Sequence, residues 1–195
     1  MPTVTVGRSI EKEYTVAVDY RICMPFTPFH LGPALLFGLL LLRFLDFPTF
    51  LVANVIVDVE PSLVLLFGLD YPLHGFFHSF LGGTIMALAL VLVMNRIRAT
   101  LSPVLAFFRL AQRSSLRSIL LASVSGVYLH ILLDARMYGD IQPLYPIEVN
   151  PFLVQTALPG LGEYTFCVWC FFGAGIVYVV KLFLIWRKRS LTSNS

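Results

Sequence analysis

The stretch SILLASVSGVYLHILLDA, residues 118–135, decides the fold class. It carries no charged side chain before Asp134, and its two ionisable groups, His130 and Asp134, stand four residues apart near its end. As a helix rising ~1.5 Å per residue it would reach about 27 Å, slightly short of the ~30 Å hydrocarbon core of a bilayer. Four further apolar stretches flank it, at 31–43, 47–69, 79–95 and 164–186. The last is the cleanest, and the second is interrupted at its centre by Asp58, Glu60 and Pro61. The spacing predicts an all-α integral membrane bundle of about five helices, some of them partly re-entrant.

The whole composition agrees. Of 195 residues, 57% are apolar and only 13% charged, with a mean hydropathy of +0.81. A soluble domain carries about a quarter charged residues. A soluble enzyme, a disordered chain and a nucleic-acid-binding module are thereby excluded as readings, and no nucleic-acid partner is expected. Residues 1–23 are polar and mixed, and lack the basic start and apolar core of a secretory signal. Met24 opens a different composition, so 1–23 is either a short extension or untranslated, and 24–195 forms the membrane-embedded domain.

Arginine placement predicts the orientation. Arg96, Arg98, Arg109, Arg113 and Arg117 fill the connection between the third and fourth stretches, as a plain topological anchor or a segment touching anionic lipid. Lys181, Arg187, Lys188 and Arg189 mark the end of the fifth, and Arg43 the first turnaround. Five alternating spans put all three groups on one face, which the positive-inside rule makes cytoplasmic together with the C-terminus. The protein is then expected in the plasma membrane, with the 136–163 connection outside. The prolines of that connection, Pro143, Pro146 and Pro151, suggest a stiff cover.

The four histidines were not used to draw that topology, yet His30, His74, His78 and His130 all fall towards the outer end, with Asp134. Asp58 and Glu60 lie halfway or towards the same side. His74 and His78 are four residues apart, as are His130 and Asp134. On a helix such pairs share a face about 5–6 Å apart, a separation that lets two ligands reach one metal. Asp58 and Glu60 can both face inward only if the helix breaks beside Pro61. A carboxylate in the bilayer centre costs about 2.5–3.5 kcal/mol, and a divalent cation would offset that cost. The set exceeds one tetrahedral zinc, which leaves room for a second ion or for a carboxylate acting as base. The competing readings are a proton or cation path for Asp58 and Glu60, and a helix-bracing hydrogen bond for His130 and Asp134.

Other features have plainer explanations. Cys167 and Cys170 form a C-x-x-C inside an apolar run, where buried, unreactive thiols are expected, and Cys23 stands alone. Gly82, Gly83 and Gly126 suit close helix packing.

The pieces TPFHLGPALLFGLL (27–40), DVEP (58–61), HGFFHSFLGG (74–83), LHILLD (129–134) and YGDIQPLYP (138–146) together resemble the YdjM-like family of predicted membrane-bound metal-dependent hydrolases. The resemblance implies a helical membrane protein distantly similar to zinc-dependent phospholipase C and related nucleases. It implies His74, His78, His130 and Asp134 as the foremost metal ligands, Asp58 and His30 next, with Glu60 and Asp140 as additions. Some relatives carry Arg where this chain has Gly75, and their TPFH lies nearer the start. The expected activity is hydrolysis of an ester or phosphoester in a membrane lipid or lipid-linked substrate. One or two divalent ions, zinc or manganese, would activate the water, and Asp58 or Glu60 would be the base. The alternatives are a metal-ion or proton transporter using the same groups, and a scaffold braced by a structural metal. Oligomeric partners are not legible in the sequence.

Overall fold

The computed structural model describes residues 27–156 and 160–193. The extension at 1–23 and the alternative start at Met24 lie outside the described residues, as does Cys23. Among the described residues all regular structure is helical. A 3-10 turn, Thr27–His30, leads into α1 (Leu31–Leu40). Then come α2 (Phe47–Ala53), α3 (Val59–Phe67), α4 (Phe80–Ile97), α5 (Ser102–Phe107), α6 (Leu116–Ala135) and α7 (Leu161–Ser193). Four segments are long and apolar enough to cross a membrane: Phe47–Phe67, Phe80–Phe107, Leu116–Ala135 and Leu161–Leu191. The fifth, Pro28–Leu40, is shorter, about 20 Å at ~1.5 Å per residue, so it is a partial span.

Three helix starts carry a side-chain cap. Asp46 caps α2, its Oδ1 accepting from Thr49 N at 3.3 Å and from Thr49 Oγ1 at 2.6 Å, with Pro48 in the first turn. Ser79 caps α4 by accepting from Gly82 N. Ser115 and Ser118 form a reciprocal capping box on α6. Gly68, at φ +59°, ends α3 in a left-handed conformation that only glycine adopts freely.

The Phe47–Phe67 span is interrupted, as the sequence suggests, but four residues before the expected place. The break runs over 54–58, through the α2 cap Asn54 and a 3-10 turn Ile56–Asp58. Pro61 sits harmlessly in the first turn of α3, where no N–H is missed. Asn54 stabilises the break by donating from Nδ2 to Phe50 O at 2.9 Å.

α6 is the hub, packing against α2 and α4, while α1 packs against α7. Small residues set these approaches: a Cβ on Gly126 would lie 2.5 Å from Ala53 Cβ, and one on Gly83 would lie 2.6 Å from Ile131 Cδ1. Gly32 likewise meets the Cys167 carbonyl, so the packing role expected of Gly82, Gly83 and Gly126 extends to α1 and α7. Cys167 and Cys170 are buried free thiols, as the plain reading expects. Between α2, α4 and α6 lies an apolar core of Val57, Leu90, Met94, Ile119 and Val127 among others. Outward faces are apolar too. Leu88 and Leu92 of α4 and Trp169, Phe172, Ile176 and Val179 of α7 are half-exposed or more, the surface of a protein solvated by lipid.

The connections expected on one face do meet. Gln112, in the loop before α6, donates to Leu42 O and Leu45 O and accepts from Phe47 N. Tyr178 of α7 donates to Phe108 O. One arginine corrects the sequence reading: Arg98 is no exposed anchor but is 5% accessible and paired through Nε with the buried Asp46. The four-residue run from the end of α4 turns it inward, and its partner comes from the first turnaround.

Candidate metal centre

At the opposite end of the bundle from Arg98, four elements converge. α6 supplies His130 and Asp134 from one face, and the break in the second span supplies Asp58. The 3-10 turn before α4 supplies His78, and the turn before α1 supplies His30. One ligand atom from each of Asp58, His78, His130 and Asp134 lies within 4.8 Å of every other. His130 Nε2 is 3.4 Å from Asp58 Oδ1 and 3.2 Å from Asp134 Oδ2, and His78 Nε2 is 4.0 Å from Asp134 Oδ2. His30 Nε2 is 3.0 Å from Asp134 Oδ1, and its ring lies over that of His130 at 4.3 Å between centroids.

Burial makes these contacts informative. His78 and His130 are fully inaccessible and His30 and Asp134 are 2% accessible. Yet His30 Nε2, His78 Nε2, His130 Nε2 and Asp134 Oδ1 are buried with no aligned hydrogen-bond partner. Leaving such an atom unpaired costs about 1–3 kcal/mol, and three of these four residues belong to the group whose ligand atoms lie within 4.8 Å of one another. A divalent cation fits that donor set of imidazoles and carboxylates.

Outer contacts fix the rings. His130 Nδ1 donates to Asn54 O at 2.9 Å, so the broken α2 supplies the carbonyl that leaves Nε2 free to point inward. His78 Nδ1 donates to Glu60 Oε2 at 3.0 Å, while Glu60 Oε1 accepts from Phe77 N at 3.3 Å. Burial lowers the pKa of His78 from its ordinary value, against the opposing bond to Glu60, and so favours the neutral ring a metal requires.

Three expected site residues, His74, Asp140 and Glu60, stand outside the four-residue group. His74 and His78 do not share a helix face: residues 74–78 form a bend and a 3-10 turn, because Ser79 begins α4 only at Phe80. His74 therefore stays outside the four-residue group and bonds through Nδ1 to Asp140 Oδ2 at 2.9 Å, its ring against Tyr138 and edge-on to His78. Asp140 is spent on His74 in the same way. Burial pushes the Asp140 carboxyl up, but the hydrogen bond and charge of His74 outweigh it and leave it below the usual range. Glu60 holds His78 rather than facing the other ligand atoms.

The 136–163 connection does cover this end where it is described. Phe80 N donates to Pro143 O, and Asn150 Nδ2 donates to Ala135 O and Tyr138 O. Beside His74 it roofs a cavity of about 300 Å³ lined by Tyr71, Gly75, Phe76, Asp140, Gln142 and Tyr145. A Cβ at position 75 would lie 2.1 Å from the Tyr71 ring and 2.6 Å from Glu60 Oε1, so a side chain there would displace the ends of those two side chains. Sequence reading missed Asn54 and Tyr71; a lone Asn in an apolar span was the available signal for the first.

Comparison of the chain with protein-family models, with curated proteins and with solved structures finds no match to any of them.

Proposed function

We propose that this membrane protein is a metal-dependent hydrolase of lipid or lipid-linked esters or phosphoesters, of the kind the YdjM-like resemblance implies. The observation that carries it is the convergence of one ligand atom each from Asp58, His78, His130 and Asp134 within 4.8 Å of one another, with His78 Nε2 and His130 Nε2 buried and without an aligned hydrogen-bond partner. These four hold the ion, with His30 available to a second ion or to an enlarged first shell. When bound, a divalent ion such as zinc or manganese polarises the scissile group and makes water acidic enough to attack near neutral pH. Asp58 is the least buried of the four, its side chain 14% accessible, and is the carboxylate placed to take a proton from that side. Glu60 orients His78 and acts through it. His74 and Asp140 border a cavity next to the centre, with the His74 ring edge-on to that of His78. The basic end of the bundle faces the cytoplasm and the centre lies towards the opposite face.

A transporter needs a polar path onward from the cluster. Here the apolar core of Val57, Leu90, Met94, Ile119 and Val127 is accompanied by the buried polar side chains of Asn54, Ser123, Thr49 and Asp46, so turnover, rather than the lining, separates hydrolysis from transport. The test is elemental analysis of detergent-purified protein beside His130→Ala and Asp134→Ala, followed by turnover of phosphoester lipids with and without chelator. About one or more equivalents of zinc or manganese, absent from the variants, with chelator-sensitive turnover, is expected. A folded protein that takes up no metal after reconstitution overturns the proposal.

A further inference from the structure

The cavity beside His74 has a chemistry of its own. Its polar lining holds no Lys or Arg: the Tyr71 phenol, the Gln142 amide, the Tyr145 phenol and the Ser79 hydroxyl stand beside the paired His74 and Asp140. Tyr71 Oη accepts from Phe76 N at 3.1 Å, which leaves its own proton free to donate. Asp140, its side chain 46% accessible, spends part of its capacity on His74 and keeps lone pairs for a ligand. Phe76 and Tyr145 add an aromatic corner, their rings 5.3 Å apart at 84°. The volume, about 300 Å³, is at the small end of ligand sites and suits one headgroup rather than a whole lipid. Gly75 is what admits Tyr71 to this wall, because a side chain there would displace the ring.

An anionic group would meet the Asp140 carboxylate, and His74, the one basic side chain of the lining, is already committed to that carboxylate. A quaternary ammonium would leave the Tyr71 proton and the Gln142 amide without partners on burial. A neutral ring bearing several hydroxyls satisfies all of them and lays its C–H face on the aromatic corner. We infer that this cavity is the headgroup subsite for an uncharged, hydroxyl-rich moiety, a sugar or cyclic polyol, of a lipid-linked substrate. The inference rests on the hydrolase reading for its substrate, but not for its binding, because none of the four clustered residues lines the cavity.

The test uses the full chain in lipid nanodiscs, free of sugar detergents, with short alkyl glycosides, alkyl phosphocholines and alkyl phosphates of equal chain length as probes. Saturation-transfer NMR of the headgroup protons reads binding, with the metal present and after chelation. The alkyl glycoside is expected to bind in both states, and Tyr71→Phe and Gln142→Ala each to weaken it by about tenfold, the loss of one buried hydrogen bond, with metal content unchanged. Tighter binding of the phosphocholine or the phosphate, or glycoside binding indifferent to both substitutions, overturns the inference. Glycoside binding by a protein that takes up no metal would sustain the subsite while removing the hydrolase proposal, and metal uptake without glycoside binding would do the reverse.

Discussion

Glu60 accepts a hydrogen bond from Nδ1 of His78 at 3.0 Å, and so fixes Nε2 of the same ring to face Asp134. Glu60→Gln keeps the shape but weakens that restraint. Metal affinity is expected to fall about 10- to 100-fold, without the complete loss expected of His130→Ala. A metal-competition titration measures both, and unchanged affinity in Glu60→Gln would remove the orienting role.

The Asp46–Arg98 pair is buried far from the histidines. Asp46→Ala strands the guanidinium, and about 3–5 kcal/mol of stability should be lost. Asp46→Ala combined with Arg98→Met should recover the part due to the stranded charge, leaving the loss of the α2 cap, about 1 kcal/mol. Thermal unfolding in detergent tests this, and equal damage in the single and double variants would count against it.

Gly126 touches both Ala53 and Asn54, the residues on which the break depends. Gly126→Ala should destabilise the protein by about 1–3 kcal/mol through overpacking. It should also weaken metal binding, because the Asn54 carbonyl holds His130. The discriminating result is the pairing of the two losses: stability lost with metal affinity intact would separate the helix contact from the centre.

The His74–Asp140 pair carries a pH signature. Because the folded carboxyl titrates below its ordinary value, the pair stabilises the fold above about pH 4, and that contribution disappears as pH falls through the lowered value. Asp140 is half exposed, so the magnitude is about 0.2–1 kcal/mol after solvent screening. Asp140→Asn should flatten the acid limb of an unfolding-midpoint profile by that amount, and an unchanged limb would contradict the assignment.

Much of this was legible in the chain, for identifiable reasons. Apolar runs of helix length must be helices in lipid, so the spans at 47–69, 79–95, 118–135 and 164–186 follow from composition alone. His130 and Asp134 lie within one helix, where spacing fixes geometry, and their i, i+4 reading holds. His74 and His78 have the same spacing, but Ser79 starts the helix after them, and a four-residue interval outside a helix fixes nothing. Arg98 looked like one anchor among five because its partner Asp46 lies 52 residues earlier, a distance that charge counting along the sequence does not bridge. Asn54 holds His130 through its backbone carbonyl, which any residue carries, so its side chain signals only the break and not the contact.

The interruption at 54–58 also bears on how the protein is made. The Asn54 carbonyl is satisfied by His130, 76 residues further along the chain. Until that residue is synthesised, the segment Phe47–Phe67 carries an unpaired backbone group and two acids, which the lipid interior does not tolerate. The second span is therefore the one whose native shape is completed latest, when Leu116–Ala135 arrives to take up its free carbonyl.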